Sequence, residues 1–244
     1  MKIYGLIGEN LSHSFSSRYF NEKFLKEGIT YACYKNFELK NISEFPQLIR
    51  ENNLSGLNIT IPYKESIIPF LDKISDEVKE IGSVNTIKNI NEKLVGFNTD
   101  IIGFEKSLHT LLQNKKTSLI LGNGGVSKSI QFVLQQLNIQ FKVVSRNSDL
   151  DYHNITEDLI KESDIIINTT PLGTHPNINS YPEIPYKYLN SKHLLYDLVY
   201  NPEISQFLKF GKKYGTQIKN GLEMLQIQAD ESWKIWSSDF NLNL

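Results

Sequence analysis

A glycine-rich segment between two apolar stretches constrains the fold of this chain more than any other feature. The segment Gly122-Asn123-Gly124-Gly125-Val126-Ser127 separates a predicted strand over 118–121 from a predicted helix over 126–137. Glycines in this place permit a tight turn and let the N-terminus of the helix approach a pyrophosphate. Ser127 replaces the third glycine of the fingerprint, and such a turn is by itself equally consistent with a plain connection. The strand and the helix on either side favour a dinucleotide site.

The end of the next predicted strand, over 141–145, indicates which dinucleotide is bound. NAD sites usually place an acidic residue there for the ribose hydroxyls, whereas an arginine suits the 2′-phosphate of NADP. This chain has Arg146 at that point. NADP(H) is therefore the expected cofactor, and a solvated surface arginine is the alternative interpretation.

Predicted strands and helices alternate along the chain, which is typical of α/β folds. Helices are predicted over 16–26, 43–50, 75–81, 101–112, 126–137 and 222–236. Strands are predicted over 2–7, 31–37, 57–61, 84–88, 94–97, 118–121, 141–145, 164–168, 194–198 and 217–219, with a hairpin turn at 89–91. The helix over 101–112 joins two α/β units, and the boundary between them is expected near residues 98–113.

The composition is that of an ordinary soluble globular protein, since 40% of the 244 residues are hydrophobic and 22% are charged. A net charge of −1 gives no electrostatic attraction for nucleic acid or for an anionic membrane. Cys33 is the single cysteine, which excludes an internal disulfide and a cysteine-based zinc cluster, and no metal is expected. The sequence has neither a signal-peptide pattern nor an apolar run of bilayer length, so a cytoplasmic protein is expected.

The segment Asn58-Ile59-Thr60-Ile61-Pro62-Tyr63-Lys64 predicts a strand that leads to a site. Apolar side chains alternate with polar ones from Leu57 to Ile61, which gives one face that can be buried and one polar face. Pro62 cannot donate in a central ladder, so the strand is expected to end there, with Lys64 just past its carboxyl end. Ligands of open α/β sheets bind at that end of the strands.

Polar residues stand at other predicted strand ends as well. Ser14 and Ser16 follow the first strand, Asn85 lies in an apolar strand, and Asp100 follows the hairpin. Together they are expected to converge on one cleft, in which Lys64 and Asp100 form the plausible acid–base pair: a lysine exchanges a proton with an alcohol, and a carboxylate orients it. Helix capping by the serines and Asp100, and a surface position for Lys64, are the alternatives.

Eight short segments occur in the order and spacing of one enzyme family. They include Ser-His-Ser-Phe-Ser, Asn-Ile-Thr-Ile-Pro-Tyr-Lys and Asp-Leu-Val-Tyr-Asn-Pro, and they lie at 8–16, 58–64, 82–86, 96–103, 122–127, 168–173, 197–202 and 221–225, followed by Gln228. On these segments the chain resembles shikimate dehydrogenase over essentially its full length. The resemblance implies NADPH-linked reduction of 3-dehydroshikimate to shikimate, a step toward aromatic amino acids.

The same resemblance implies a domain arrangement and a small-molecule substrate. A substrate domain is implied over 1–103 and 221–244, and a Rossmann-type NADP-binding domain over 104–220. The last helix then returns to the substrate domain, which makes that domain discontinuous. A monomer or a homodimer is expected.

Residue roles are implied by position in the family motifs. Lys64 is implied as the acid–base catalyst, and Asp100 as its partner and a substrate ligand. The other implied substrate contacts are Ser14, Ser16, Thr60, Asn85, Tyr200 and Gln228, with Asn58 in support. The implied cofactor contacts are Gly122, Asn123, Gly124, Gly125, Val126, Ser127 and Arg146, with Asp76, Leu198 and Gly221 bordering the nicotinamide.

Some positions depart from the family pattern. Residues 147–151 contain two acidic residues and no second basic residue. Weaker binding of the 2′-phosphate is therefore expected. Thr174 stands where a methionine is usual, and Lys128 where an arginine is frequent. Two alternatives stay open: a quinate/shikimate dehydrogenase that accepts NAD, and a non-catalytic ligand-binding relative of the same fold.

Overall fold

The structure is a computed structural model that describes most of the chain. The described residues are 1–11, 14–146 and 148–238. Parts of two predicted segments fall elsewhere: Ser12 and His13 of the Ser-His-Ser-Phe-Ser motif, and Asn147 next to Arg146, lie outside the described residues.

The chain divides into two compact units, each with its own sheet. The first unit contains Met1–Thr99 and the chain from Gln228 onward, and the second unit contains Asp100–Ile227. The substrate and cofactor domains that the resemblance implies have limits a few residues away, at 103/104 and 220/221. Those limits stay a prediction.

Strands and helices alternate along both units. In chain order, the strands are β1 (Lys2–Gly8), β2 (Ala32–Glu38), β3 (Leu54–Ile59), β4 (Lys73–Ile74), β5 (Thr86–Ile90), β6 (Lys93–Phe97), β7 (Thr117–Leu121), β8 (Gln140–Val144), β9 (Ile165–Asn168), β10 (Leu194–Asp197) and β11 (Gln217–Lys219). The α-helices are α1 (Phe15–Lys26), α2 (Phe45–Glu51), α3 (Asp76–Ile81), α4 (Asp100–His109), α5 (Gly125–Gln136), α6 (Glu157–Lys161), α7 (Gln206–Lys213) and α8 (Leu222–Ser237). Short 3₁₀ helices span Ile42–Glu44, Ile68–Phe70, Tyr152–Asn154 and Tyr186–Tyr188.

The first unit contains a mixed sheet in the strand order β2-β1-β3-β5-β6-β4. Strand β1 runs parallel to β2 and β3, β5 runs antiparallel to β3 and β6, and β4 is parallel to β6. Strands β1, β3 and β6 therefore end at the same edge at which β5 begins. We call this edge the polar edge; it comprises the residues that follow Gly8, Ile59 and Phe97 and those that precede Thr86.

The second unit contains a parallel sheet in the order β11-β10-β9-β7-β8. Numbered from its own first strand, this is the 2-1-3-4-5 order of a doubly wound sheet. The order reverses between β7 and β9, and ligands of such sheets bind outside the carboxyl ends of the strands at this switch point. The predicted α/β fold with a Rossmann-type second unit is confirmed.

Helices α1 and α8 cover one face of the first sheet with aromatic side chains. Tyr4 of β1 stacks on Trp236 with ring centroids 4.8 Å apart, and Phe20 stacks on Tyr34 at 4.6 Å. Aromatic pairs in these arrangements stabilise a core beyond the area they bury. An aliphatic cluster around Leu57 fills the opposite face. The last helix of the chain is therefore part of the core of the first unit.

The central strands of the second sheet, β7, β9 and β10, are deeply buried. Residues 119–121, 165–167 and 194–196 have no exposed surface, as expected for parallel strands whose two faces are both covered by helices. The polar residues Asn168 and Asp197 stand at the carboxyl ends of β9 and β10. Any site of the second unit is accordingly built at an edge of its sheet.

The strand predicted over 57–61 ends earlier than predicted. Strand β3 stops at Ile59, because the chain turns over residues 60–63. Tyr63 N donates to Thr60 O at 2.9 Å, and this hydrogen bond closes the turn. Ile61 lies in the turn and is 66% exposed, so the expectation that it belongs to a buried face is wrong. Pro62 has no N–H to continue a ladder, and the chain leaves the sheet before reaching it.

The predicted hairpin is present, with its turn shifted along the chain. Strands β5 and β6 pair antiparallel, and the residues between them, Asn91 and Glu92, have φ angles of 51° and 66°. Positive φ at both central positions is the type I′ turn, whose twist matches that of the strands. The turn is therefore not at 89–91. Strand β5 begins at Thr86, so Asn85 precedes the strand instead of lying within it.

Other differences from the predicted elements concern length. Helix α4 ends at His109 instead of residue 112. The sequence does not predict β4, α6 and α7, which have 2, 5 and 8 residues. Elements this short contain too few residues for a hydrophobic period to stand out.

The described residues contain neither a candidate membrane span nor a candidate metal site. No described helix has the length and apolarity that a bilayer span requires. No three His, Cys, Asp or Glu side chains among the described residues are grouped so that they could hold a metal ion.

Gly56 of β3 packs against the indole of Trp236, which gives a test of this core. A Cβ at position 56 would lie 2.4 Å from Trp236 Nε1, and that N–H donates to Ile87 O at 2.9 Å. Gly56→Ala is expected to lower the free energy of unfolding by about 2 kcal/mol, because the ring must shift away from its acceptor. Urea unfolding measures the change, and Ser55→Ala is the matched control. Equal stability of the two variants would contradict this packing.

Candidate functional site

The side-chain amide of Asn58 is the centre of a buried hydrogen-bond network at the polar edge. Asn58 is 4% exposed. Its Oδ1 accepts a hydrogen bond from the Tyr34 hydroxyl at 2.8 Å. Its Nδ2 donates to Asn85 O at 3.2 Å and to the hydroxyls of Thr86 and Ser232 at 3.2 and 3.0 Å. Because the amide is engaged on both sides within the protein, its place is consistent with the supporting role that the resemblance implies.

Asn85 extends this network to the loop after β6 and to α8. Its Oδ1 accepts from Thr99 N at 2.8 Å and from the Thr86 hydroxyl at 3.0 Å. Its Nδ2 donates to Thr99 Oγ1 at 2.9 Å and to Gln228 Oε1 at 3.3 Å. Buried polar groups that are all paired hold one fixed arrangement. The structure thus brings together Asn85 and Gln228, which the sequence predicts from two distant motifs.

Ser14 and Ser16 lie at the start of α1. Ser14 is the N-cap of this helix and accepts a hydrogen bond from Ser17 N at 3.2 Å, and its contact with a substrate stays a prediction. Ser16 is 8% exposed and lies near Tyr34. Burial raises the pKa of the Tyr34 hydroxyl well above its usual value, with the Ser16 contact acting in the opposite direction. Ser16 is therefore connected to the Asn58 network through Tyr34.

Thr60 and Lys64 belong to the segment that follows β3. Thr60 N donates to Ile7 O at 2.9 Å, so the backbone is still paired with β1 at this residue. Lys64 is half-buried, and its carbonyl oxygen accepts from Val84 N at 2.8 Å. This bond fixes the Lys64 backbone beside the segment that leads into Asn85. The prediction that Lys64 follows the carboxyl end of this strand is confirmed, and its catalytic role stays a prediction.

Asp100 and Tyr200, two further predicted substrate contacts, belong to the second unit. Asp100 is 5% exposed and is the first residue of α4, directly after Thr99 in the chain. Tyr200 follows β10 and is half-buried. Their roles toward a substrate stay predictions.

The glycine-rich segment joins β7 to α5 at the switch point of the second sheet. Gly122 has a φ of 108°, and a Cβ there would lie 2.6 Å from Thr169 Oγ1, so a side chain does not fit. Gly124 is the N-cap of α5 and provides no side-chain cap, and a Cβ on it would meet no atom within 4 Å. An uncapped helix N-terminus with open space before it suits a phosphate group. The segment therefore fits the pyrophosphate of a dinucleotide.

Ser127, which replaces the third glycine of the fingerprint, stabilises this turn by side-chain hydrogen bonds. It has no exposed surface, and its hydroxyl donates to Gly122 O at 2.8 Å. Gln131 Nε2 donates to Ser127 Oγ at 3.1 Å and to Asn123 Oδ1 at 3.4 Å. The serine therefore replaces the flexibility of a third glycine with hydrogen bonds that hold the turn.

Arg146 follows β8, the neighbour of β7, and is exposed. The glycine-rich segment and Arg146 thus follow adjacent parallel strands at one edge of the sheet. The Ser148 hydroxyl accepts from Ser145 N at 3.2 Å and donates to Leu150 O at 2.8 Å, which closes the short loop after β8. A guanidinium in this place suits the 2′-phosphate of NADP.

A buried polar cluster stands at the ends of β9 and β10. Asn168 and Asp197 have no exposed surface. Asp197 Oδ1 accepts from Asn168 Nδ2 at 2.9 Å and from Val199 N at 3.0 Å, and Oδ2 accepts from the Ser205 hydroxyl. Burial raises the pKa of the Asp197 carboxyl to about 6, and these hydrogen bonds act in the opposite direction. Neither residue is assigned a role from the sequence. The signal that could have found them is a polar residue at the end of a buried strand.

Leu198 and Gly221, predicted beside the nicotinamide, are in contact with each other. A Cβ on Gly221 would lie 2.1 Å from Leu198 O. Asp76, the third residue of this predicted group, is the first residue of α3 in the first unit. Its exposed carboxylate lies 2.7 Å from Lys79 Nζ, which lowers its pKa. Contact of these three residues with a cofactor stays a prediction.

The network also contains residues that sequence reasoning missed. Thr86, Thr99 and Ser232 have hydroxyl oxygens that lie 2.8 to 3.3 Å from one another. The two threonines stand inside matched segments, next to Asn85 and Asp100. Ser232 lies four residues after Gln228 on α8, and this helical spacing is the signal that could have found it.

Comparisons with known proteins place these observations in one family. The family model described as shikimate dehydrogenase substrate binding domain matches residues 6–87. The shikimate dehydrogenase (NADP(+)) of Methanococcus vannielii is 38% identical to this chain over 96% of this chain and 90% of that protein.

Solved structures agree with this relationship. Shikimate dehydrogenase 1 from Peptoclostridium difficile superposes with a TM-score of 0.86 at 35% identity, over 97% of this chain and 91% of that one. Shikimate 5-dehydrogenase from Thermus thermophilus, solved in complex with NADP(H) and shikimate, superposes with a TM-score of 0.86 at 26% identity, over 97% of this chain and 94% of that one. With such identity over nearly its whole length, the chain belongs to the shikimate dehydrogenase family.

Proposed function

We propose that this protein catalyses the reversible NADP(H)-dependent reduction of 3-dehydroshikimate to shikimate in the synthesis of aromatic amino acids. The observation that carries the proposal is the 38% identity with an NADP(+)-dependent shikimate dehydrogenase over 96% of the chain. The position of Lys64 supports it, because this lysine, the proposed proton-transfer residue, follows the strand that contains Asn58. Bound NADPH supplies the hydride that reduces the substrate carbonyl carbon.

Lys64 is the proposed proton donor in this reaction. Reduction of the carbonyl carbon leaves negative charge on the substrate oxygen, and the Lys64 ammonium gives that oxygen a proton. In the direction of oxidation, the neutral amine takes the hydroxyl proton back. Asp100 is the proposed partner, whose carboxylate orients the lysine and stabilises its charged form. Asp100 is buried and is the first residue of α4.

The polar edge of the first unit is the proposed substrate site. The hydroxyls and amides proposed to contact the hydroxyl groups and carboxylate of the substrate belong to Ser14, Ser16, Thr60, Asn85, Tyr200 and Gln228. Asn58 is proposed to act indirectly, by holding Tyr34, Thr86 and Ser232 in place through its hydrogen bonds. A rigid network favours binding, because the protein groups lose little freedom when the ligand arrives.

The carboxyl edge of the second sheet is the proposed cofactor site. The uncapped N-terminus of α5 after Gly124 is proposed to hold the pyrophosphate, and Arg146 the 2′-phosphate. Leu198 and Gly221, and Asp76 from the first unit, are proposed to border the nicotinamide. The substrate domain is proposed to span 1–103 and 221–244 and the cofactor domain 104–220, in a cytoplasmic protein that is a monomer or a homodimer.

A quinate/shikimate dehydrogenase that accepts NAD is the second candidate. The absence of a second basic residue in 147–151 favours it, whereas Arg146 and the serine pair at 14 and 16 favour the NADP-dependent shikimate enzyme. A non-catalytic relative is disfavoured, because Lys64 and Asp100 are both present.

Replacement of Lys64 tests the proposed chemistry. Lys64→Ala is expected to lower kcat for shikimate oxidation with NADP⁺ by about a hundredfold or more, because the proton-transfer group is gone. The KM for shikimate is expected to change less. Lys93→Ala, at the opposite edge of the same sheet, is the matched control and keeps the wild-type kcat. Turnover close to wild type in folded Lys64→Ala protein would rule out the assigned role.

Replacement of Arg146 tests the cofactor preference. Arg146→Ala is expected to raise KM for NADP⁺ by about tenfold or more, since a charge-assisted hydrogen bond to the 2′-phosphate is lost. The KM for NAD⁺, which lacks this phosphate, is expected to stay near its wild-type value. Lys142→Ala, exposed on the strand before it, removes one positive charge as a control. An equal change for both cofactors would show that Arg146 does not contact the phosphate.

A further inference from the structure

We propose that Asp197 is a positioning residue for the nicotinamide end of the cofactor. Its buried carboxylate joins the loops that follow β9 and β10, and these contacts hold the backbone at Leu198 in one place. The inference rests on the proposed function, because the contact of Leu198 with the nicotinamide is part of that proposal. Asp197 itself does not take part in the chemistry.

The carboxylate is a three-way junction within the second unit. Val199 N and Asn168 Nδ2 donate to Oδ1 at 3.0 and 2.9 Å, and the Ser205 hydroxyl donates to Oδ2. The three donors come from the Asp197 loop itself, from the end of β9 and from the start of α7. An isosteric apolar side chain would fill the same space and accept none of these hydrogen bonds.

Asn168 connects the Asp197 carboxylate to the loop after β9 by hydrogen bonds. With its Nδ2 held by Asp197, its Oδ1 faces Thr170 and accepts from the backbone N at 3.0 Å and from the hydroxyl at 2.6 Å. The same Nδ2 also lies 3.3 Å from Leu172 O. The orientation of one amide thus fixes the path of the chain from Asn168 to Leu172.

Ser205 connects the Asp197 carboxylate to the start of α7 by hydrogen bonds. It is the N-cap of this helix and accepts from Leu208 N at 3.3 Å while its hydroxyl hydrogen is donated to Asp197. The segment from Asp197 to Ser205 is therefore held at both ends by one carboxylate. Leu198 lies within this segment.

The backbone at Leu198 has little room to move. Leu198 N donates to Asn168 O at 3.0 Å, and Gly221 N donates to Val199 O at 3.2 Å. On its other side, Leu198 O lies 2.1 Å from where a Cβ on Gly221 would stand. A shift of the segment would bring Leu198 against Gly221, the other residue proposed to border the nicotinamide. Loss of the hydrogen bonds to Asp197 should therefore disturb the proposed nicotinamide site, where the hydride is transferred.

Asp164 offers a matched control in the same sheet. Its Oδ2 accepts from Lys116 N at 2.7 Å, and from Thr117 N and Thr117 Oγ1 at 3.1 Å each. It is also an aspartate that accepts several hydrogen bonds, but it precedes β9 and lies at the amino end of the strands. Its loss should weaken the fold without moving the cofactor edge.

The experiment compares Asp197→Ala, Asp164→Ala and wild type in steady-state oxidation of shikimate by NADP⁺. Asp197→Ala is expected to lower kcat/KM for NADP⁺ by about tenfold or more, because a small misplacement of reacting groups is costly. Adenosine 2′,5′-bisphosphate, which has the 2′-phosphate end and no nicotinamide, should keep its inhibition constant. Asp164→Ala should keep wild-type kinetics even where its thermal midpoint falls.

A conservative variant separates positioning from general disorder. Asp197→Asn retains Oδ1 as acceptor for Val199 N and Asn168 Nδ2, so it is expected to recover most of the lost kcat/KM. Where Asp197→Ala does not fold, Ser205→Ala replaces it and should lower kcat/KM in the same direction by a smaller factor.

Two outcomes would overturn the positioning role of Asp197, and a third would overturn the proposed function. Wild-type kcat/KM in folded Asp197→Ala would overturn the positioning role. A parallel loss of adenosine 2′,5′-bisphosphate inhibition would also overturn it, because the whole cofactor edge would then be disturbed. Absence of NADP⁺-dependent shikimate oxidation by the wild-type protein would instead overturn the proposed function.

Discussion

A buried side-chain amide must have hydrogen-bond partners, and much of the first unit is arranged around the partners of Asn58. An amide left unpaired in the interior costs about 1–3 kcal/mol, yet Asn58 is 4% exposed on a central strand. Its partners come from β2, from the start of β5 and from α8, through Tyr34, Thr86 and Ser232. These elements are far apart in the chain. Their pairing with one amide brings Gln228 of the last helix to the same edge as Asn85.

The second unit uses a carboxylate in a comparable way. The middle residues of its central strands are buried, and the polar residues Asn168 and Asp197 stand at the ends of β9 and β10. Asp197 joins two strand-end loops and the start of α7 by accepting hydrogen bonds from Asn168, Val199 and Ser205. In both units, then, a polar group buried at a strand end fixes the loops from which the proposed ligand contacts arise. This explains how the connections after the strands can present groups with defined geometry.

Much of this architecture could be predicted from the sequence, for identifiable reasons. Long periodic segments such as α1 and α5 lie within one residue of their predicted limits. The glycine-rich turn is identifiable because its first position, Gly122, has a φ of 108° and no room for a side chain. The exposure of Ile61 was missed because alternation continues in the sequence past the point at which the chain turns before Pro62.

The partners of buried polar groups could not be predicted. The sequence places Asn58, Asn85 and Gln228 in separate motifs, and only the folded chain shows that hydroxyls of Thr86, Thr99 and Ser232 connect them. Long-range pairing of this kind leaves no local pattern, since one serine on a helix resembles any other. The roles of Lys64 and Asp100 rest on the family resemblance for the same reason.

The most direct measurement is the initial rate of nicotinamide reduction by the purified wild-type protein. Shikimate and quinate are each offered with NADP⁺ and with NAD⁺, and the absorbance of the reduced cofactor is followed. The account predicts the highest kcat/KM for shikimate with NADP⁺. A folded protein that does not reduce NADP⁺ in the presence of shikimate would contradict it.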